Sequence, residues 1–271
     1  MIGLNGGLIG AVKSPSQSSA IGVWTLNEQI NIKRQGLWPV AGDPFFSNVS
    51  LLLHCDGTNG STTIVDSSGS PKTVTAVGNA QISTAQSAFP GGASLLFDGN
   101  GDAATIPNTN NAFTFSTNTY TFECFIRPVA LSSFKILLDV SATAGNFFGA
   151  LYLAHNGTTL LWGCRPNTGS QYAYVEATGG TLTTNTWQHV ALSVDSGAAK
   201  AFIDGVAVGS PITFSTPAFT PVGFGVGQFA NLLDAQYSFN GYIDEVRITK
   251  GVARYTANFT PPTVPFADAQ Y

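Results

Sequence analysis

The feature that most constrains this chain is a rhythm of short apolar runs separated by turn residues, which begins near Val49 and continues almost to the end. Strong turn dipeptides mark most of the boundaries between runs: Asp56-Gly57, Asp98-Gly99, Asn156-Gly157, Asp204-Gly205 and Asn240-Gly241. Short strands with no helical pattern between them are typical of two packed antiparallel sheets and not of a βαβ sheet. The sequence therefore predicts an all-β sandwich.

The individual runs predict where the strands lie. Two neighbouring pairs form predicted hairpins, one around Asn156-Gly157 and one around Asp204-Gly205. The predicted strands are Ser50–Cys55, Ser94–Phe97, Tyr120–Arg127, Phe134–Val140, Phe147–His155, Thr159–Cys164, Gln171–Ala177, Trp187–Val194, Lys200–Ile203, Val222–Phe229 and Tyr242–Thr249.

The N-terminal segment has a different character. Residues 1–20 are rich in Gly, Ser and Pro, which predicts an extended arm. Thr25 and Glu28 form a capping box and Gly36 supplies a stop, so a short helix follows the arm. A helix this short needs a surface to rest on. We therefore predict an arm and helix for docking over residues 1–48 and a β domain over residues 49–271; the predicted docking residues are Trp24, Leu26, Ile30 and Trp38.

Charge and cysteine content exclude several classes of function. Only 10% of the residues are charged and the net charge is −4, so no basic stripe is available for nucleic acid. No apolar run is long enough to cross a bilayer, and the N-terminus lacks the pattern of a secretory signal. An odd number of cysteines cannot complete a disulfide framework. We expect Cys55, Cys124 and Cys164 to be buried free thiols of a chain that folds in a reducing cytosol.

Five segments together resemble a known domain. In order they are LLLHCDGTNGSTTIVDSSG (51–69), SLLFDGNGDAATIP (94–107), YTFECFIRP (120–128), TWQHVALSVDSGAAKAFIDGVAVG (186–209) and GYIDEVRITKGVARYTANFTPP (241–262). They are similar to the segments of LamG-like, concanavalin A-like jelly rolls, over residues 49–266. The resemblance implies two curved antiparallel sheets that bind glycans or proteins at a concave face or a loop rim, often without catalysis.

Side-chain alternation adds one pairing to this expectation. Along YTFECFIRP, Glu123 and Arg127 lie on the face opposite Phe122, and along the last strand Glu245 and Arg247 share a face with Ile243. If the two strands are neighbours, as the resemblance implies, one of these glutamates meets one of the arginines across the ladder.

The leader carries a resemblance of its own. GGLIGAVKSPSQSSAIGVWTLNEQ, followed by RQGLWP, is similar to the leader of virion-associated proteins of tailed bacteriophages, and the ARYTANFTPP ending resembles that of phage-borne LamG-like proteins. The resemblance implies a virion protein assembled in the host cytoplasm, with other virion proteins as partners. The position on head or tail is left open.

Catalytic motifs are missing from the sequence. Glycoside hydrolases of this fold need paired carboxylates, and none of the four glutamates has an acidic residue two positions on. No nucleophile elbow, phosphate loop or zinc-binding helix motif occurs. His54 and His189 are expected to be packed or hydrogen-bonded. The sequence therefore predicts a protein that is not an enzyme.

Asp-rich turns leave two interpretations open. Asp56, Asp98, Asp102 and Asp244 have the oxygen ligands that calcium uses. The simpler interpretation, which we prefer, is that Asp-Gly makes turns and that Asp244 accepts backbone hydrogen bonds. No cofactor or metal is predicted.

Aromatic side chains decide where a sugar could stack. Trp162, Tyr172 and Tyr174 lie in adjacent predicted strands and form a candidate ligand-binding platform. Burial in the core, or contact with another subunit, is the alternative.

Two functions from different classes fit these observations. The first is a virion protein that displays its jelly roll for adhesion to a host-surface polysaccharide. The second is a structural decoration or assembly protein, which touches only other virion subunits. A carbohydrate-binding module encoded by the host itself is a weaker third.

Overall fold

The computed structural model describes residues 42–115, 117–142, 150–165, 175–214 and 220–269. The chain divides into two compact units, Ser47–Phe266 and a smaller one made of Met1–Phe46 and Ala267–Tyr271. The predicted leader helix with its four docking residues lies outside the described residues, as do Tyr172 and Tyr174.

Fifteen strands are present in the described residues, together with three short 3-10 turns at Phe46–Asn48, Thr109–Asn111 and Ala235–Tyr237. The strands are β1 (Val49–Leu53), β2 (Thr75–Val77), β3 (Gln81–Ser83), β4 (Ser94–Asp98), β5 (Ala103–Pro107), β6 (Tyr120–Pro128), β7 (Lys135–Ala142), β8 (Leu151–Asn156), β9 (Thr159–Cys164), β10 (Val175–Gly179), β11 (Gln188–Asp195), β12 (Ala198–Ile203), β13 (Val206–Thr213), β14 (Pro221–Val226) and β15 (Asn240–Lys250).

These strands form two antiparallel sheets, which confirms the predicted sandwich. The order in the eight-stranded sheet is β13-β12-β11-β6-β15-β4-β3, with β1 also paired to β15. In the seven-stranded sheet the order is β10-β9-β8-β7-β14-β5-β2. Both predicted hairpins are confirmed, since β8 pairs with β9 and β12 pairs with β13. In the part of the chain that the structure describes, no helix is long and apolar enough to cross a membrane.

The main core lies between the sheets. Strands of both sheets turn alternate apolar side chains inward, for example Phe122, Cys124 and Ile126 from β6, and Leu151 and Leu153 from β8. All three cysteines are buried and free, as predicted. Burial raises the pKa of each thiol, that of Cys164 to about 12, so the thiols stay protonated.

A strap formed by residues 251–266 covers the outer face of the eight-stranded sheet. Tyr255 and Phe259 stack with ring centroids 3.6 Å apart, and Phe259 packs edge-on against the buried ring of Phe202. The strap is held at the β12–β13 turn, where the Phe259 amide donates to the carbonyl of Gly205 at 2.9 Å. Polar side chains on this face are therefore sealed from water.

One detail of β15 differs from the predicted alternation. Register shifts between Asp244 and Arg247, and Glu245 has a left-handed φ of 49°, so a β-bulge adds one residue to the strand. Ile243 and Val246 both face the core, three positions apart. The prediction that Glu245 and Arg247 share a face with Ile243 is wrong, because the extra residue turns Asp244 and Glu245 away from the core while Ile243 faces it.

Candidate functional site

A gap along one edge of β15 creates the candidate site. Residues Asn240–Ile243 of β15 pair with β4, and the stretch from Val246 to Thr249 pairs with β1 on the same side. The bulge at Asp244 and Glu245 falls between these two ladders. No strand of the described residues pairs along that edge at the bulge, so loops can approach there and enclose a space.

We call this space the bulge pocket. Its volume is about 370 Å³, which is within the range of small-molecule sites. The walls come from the turn after β1, the loop before β4, the bulge itself and the end of the strap. Lining residues are His54, Asp56, Ser87, Phe89, Pro90, Gly91, Gly92, Asp244, Glu245, Thr263, Val264 and Pro265.

Asp244 fastens the loop before β4 to the bulge. One carboxylate oxygen accepts a hydrogen bond from the Ala88 amide at 2.8 Å, and the other accepts from the amide of Glu245 at 2.9 Å. Only 2% of the residue is exposed. Burial, with the nearby charges of Glu245 and Asp56 adding to it, raises the pKa of Asp244 to about 7.

Glu245 joins two other walls. One oxygen of its carboxylate lies 2.9 Å from Nδ1 of His54, and the other accepts from the amide of Phe266 at 2.9 Å. Neighbouring acidic residues at one bulge thus hold three separate segments around the same space.

The remaining walls combine the aromatic ring of Phe89 with glycine backbone. Phe89 stands edge-on to Phe125, with centroids 5.0 Å apart, and is half-buried. Asp56 accepts from the Ala93 amide at 2.7 Å. A Cβ on Gly92 would lie 2.7 Å from Oγ of Ser87 and 3.0 Å from Oδ1 of Asp56, so only glycine lets these two side chains lie this close to the backbone.

The pocket can therefore offer hydrogen-bond acceptors, a hydroxyl and an apolar ring to a small polar molecule. Its carboxylates already hold backbone amides and a histidine, and two of them are adjacent in the chain.

Other Asp-rich turns follow the simpler interpretation. Asp98 accepts from the Asn100 amide at 2.8 Å, and Asp102 accepts from the amides of Asn79 and Asp98 at 2.8 and 2.7 Å. Among the described residues, no group of three or more His, Cys, Asp or Glu side chains is placed to hold a metal ion.

A buried ionic network lies under the strap. Glu123 receives Nε and a terminal nitrogen of Arg247, both at 2.9 Å, as well as Nε2 of His189 at 3.1 Å and the hydroxyl of Tyr255 at 2.7 Å. Burial alone would raise the pKa of Glu123, but the charge of Arg247 and the bond from His189 outweigh it and lower the pKa to about 2. The predicted glutamate–arginine pairing and the hydrogen-bonded His189 are confirmed.

Of the three residues of the predicted aromatic platform, only Trp162 lies in the described part of the chain. Trp162 is fully buried among the main core residues, so its indole has no face open to a sugar and the expectation for this residue is wrong. The reason is register, because β9 points Leu160, Trp162 and Cys164 inward together. Tyr172 and Tyr174 stay predictions.

Sequence reasoning missed the bulge pocket and Phe89. A signal was present, since Ile243-Asp-Glu-Val246 has two consecutive acidic residues between apolar ones and so breaks the strand alternation. Nothing in the sequence pattern indicated which distant loops would close over that break.

A family model described as Laminin_G_3, of the concanavalin A-like lectin/glucanases superfamily, matches residues 98–254. Because this match covers more than half of the chain, the chain belongs to that family. No curated protein sequence matched the chain.

Solved structures resemble the chain at the level of the fold. The binding domain of Paraclostridial Mosquitocidal Protein 1 is 14% identical, with a TM-score of 0.56 over 76% of this chain and 49% of that one. For the botulinum neurotoxin serotype C1 binding domain the identity is 13%, with a TM-score of 0.56 and the same coverages. The chain thus spans about half the length of these toxin domains.

A third structure matches over nearly its whole length. It is Domain 4 of AbnA, a GH43 extracellular arabinanase from Geobacillus stearothermophilus, in complex with arabinotriose. Its identity is 23%, with a TM-score of 0.52 over 75% of this chain and 93% of that domain.

Proposed function

We propose that this chain is a non-enzymatic bacteriophage virion protein whose jelly-roll domain binds a host-surface glycan in the bulge pocket. The observation that carries the proposal is the pocket itself. It combines a half-buried aromatic ring with carboxylate acceptors and open glycine backbone in a space of about 370 Å³.

The chemistry of sugars fits this lining. A sugar ring has one apolar face, which packs on an aromatic or proline ring such as Phe89 or Pro90. Its hydroxyls donate to acceptors such as the carboxylate of Asp56, and they accept from hydroxyls and backbone amides. A pocket with a few convergent polar groups beside apolar ones is the usual form of a small-ligand site.

The binding role has support from the family and from one solved relative. The arabinanase domain is described in complex with arabinotriose, and the toxin structures are described as binding domains. A non-catalytic role for this chain agrees with carboxylates that are engaged in holding the pocket walls together.

The virion location rests on the leader. Its resemblance to virion-associated phage proteins supports docking through Trp24, Leu26, Ile30 and Trp38. Deleting residues 1–40 is expected to leave the sandwich folded and to abolish incorporation into particles, as measured by circular dichroism and by immunoblotting of purified virions. Unfolding on deletion would show that the arm belongs to the core.

A glycan array probed with the full chain tests the binding role. We expect binding to host polysaccharide that Phe89→Ala reduces by about fivefold or more, because stacking on a ring is worth about 1 kcal/mol or more. Phe134→Ala is the matched control, since Phe134 is also half-buried but lies just before β7 of the seven-stranded sheet, with its ring beside those of Tyr152 and Tyr237.

The outcomes separate the alternatives. Loss of binding in Phe134→Ala with retention in Phe89→Ala would move the site to the seven-stranded sheet. Tyr172→Ala and Tyr174→Ala, the other predicted platform residues, would then be tested as well. No binding to any host polysaccharide, with normal incorporation into particles, would favour the purely structural protein.

A further inference from the structure

We infer that the bulge pocket selects neutral glycans and excludes those that carry a carboxylate or sulfate, with Asp56, Asp244 and Glu245 as the residues that determine this specificity. The inference rests on the proposed glycan-binding function and specifies the ligand class of the same pocket.

The charges that face the pocket come mainly from two segments. The turn after β1 contributes His54 and Asp56, and the bulge contributes Asp244 and Glu245. The other two walls, residues 84–93 and 263–265, contain no charged residue. Beneath the bulge, the thiols of Cys55 and Cys124 are the titratable groups close enough to influence Asp244 or be influenced by it.

The basic side chains near the pocket are already bound to glutamates. His54 is the only basic residue in the lining, and its Nδ1 lies 2.9 Å from the Glu245 carboxylate. Arg247, two positions beyond the bulge, donates to Glu123 and has the ring of Phe266 over its guanidinium at 3.7 Å. An anionic ligand would therefore meet the carboxyl groups of Asp56, Asp244 and Glu245, while the Arg247 guanidinium is bound to Glu123 and the His54 imidazole to Glu245.

Like charges that are brought together away from water cost several kcal/mol when neither is compensated. The pocket already shows the effect of this field on one of its own groups. The pKa of Asp244 is raised to about 7 by its burial and by the negative charges of Glu245 and Asp56. A carboxylate on a ligand in the pocket would face the charges of the same two residues, Glu245 and Asp56.

Discrimination against anionic glycans is expected to depend on pH. Asp244 becomes protonated as the pH falls below about 7, which removes one negative charge from the pocket. Discrimination against anionic glycans should therefore weaken from about pH 8 to about pH 5. Affinity for a neutral glycan should change much less, since it has no net charge to repel.

Paired ligands that differ only in charge provide the test. The probes are arrayed glucose with glucuronic acid, galactose with galacturonic acid and lactose with sialyllactose, read with the full chain at both pH values. At the higher pH we expect the neutral member of each pair to bind more tightly than the anionic member, by a factor of about ten or more. Asp56→Asn should narrow the gap, because the side-chain carbonyl oxygen of the variant can still accept from the Ala93 amide while the charge is lost. Asp195→Asn, on an exposed residue that does not line the pocket, should leave the gap unchanged.

Each outcome decides a different claim. Equal or tighter binding of the anionic members, or a gap that Asp56→Asn leaves unchanged, overturns the inference and leaves the glycan-binding function in place. Absence of binding to both members of every pair overturns the proposed function and this inference with it.

Discussion

Replacing the buried Glu123 by glutamine should destabilise the domain strongly. The carboxylate is fully buried and neutralises Arg247, whose side chain is only 7% exposed. Glutamine has nearly the same shape but no charge, so the change removes the ionic interaction and leaves the guanidinium buried beside a neutral amide. His189 and Tyr255 would also lose an anionic acceptor.

The magnitude follows from the pKa. In the folded protein the pKa of Glu123 falls from 4.5 to about 2, and each pKa unit corresponds to about 1.4 kcal/mol. Ionised Glu123 therefore contributes about 3 kcal/mol to the free energy of unfolding at neutral pH. Because the folded pKa is depressed, this contribution is present above pH 4.5 and is lost as the pH falls toward about 2.

Urea unfolding followed by tryptophan fluorescence measures the effect. At neutral pH we expect Glu123→Gln to lower the free energy of unfolding by about 3 kcal/mol, and the difference from wild type should shrink at about pH 3. Asp195→Asn serves as control, since Asp195 is exposed at the end of β11 and its substitution should change stability by less than about 1 kcal/mol. A loss below about 0.5 kcal/mol in Glu123→Gln, or one that is independent of pH, would refute the reasoning.

The remaining predictions concern the strap, the thiols and the bulge. Gly205→Ala should destabilise the domain by at least about 1 kcal/mol more than Gly101→Ala, since both glycines have a left-handed φ but only at Gly205 would a Cβ collide with the strap. Faster proteolysis of residues 251–266 would reveal the loosened strap. Equal effects of the two substitutions would argue against a packed strap. A thiol reagent should modify no cysteine of the native domain, whereas modification before unfolding would contradict burial of Cys55, Cys124 and Cys164. The raised pKa of Asp244 stabilises the folded domain at low pH, and this contribution is lost as the pH rises through about 7. Asp244→Asn should therefore flatten the fall in the free energy of unfolding between about pH 5 and about pH 8. An equally steep fall in the variant would contradict the raised pKa of Asp244.

Much of the fold follows from local patterns. Alternation and turn dipeptides located most strands to within a few residues, because a strand that packs on one face must alternate and a hairpin needs residues that tolerate positive φ. Strands β2, β3 and β5 were missed. The first two have only three residues each, so they lack the apolar run on which the prediction depends.

The candidate site was far less predictable. Glu123 and Arg247 could be paired, because neighbouring strands with known alternation determine which side chains meet. The bulge pocket depends instead on Glu245 in a left-handed conformation and on contacts between segments more than a hundred residues apart, such as Ala88 with Asp244. Trp162 was misassigned because alternation tells which residues share a face but not which face is the core.

Hydrogen–deuterium exchange of the full chain, with and without a saturating glycan selected on the array, tests the central claim most directly. Glycan binding in the bulge pocket predicts slower exchange in residues 84–93 and 263–266, whose amides line or close the pocket. Slower exchange confined to β8, β9 and β10 of the seven-stranded sheet, with no change around the bulge, would contradict it.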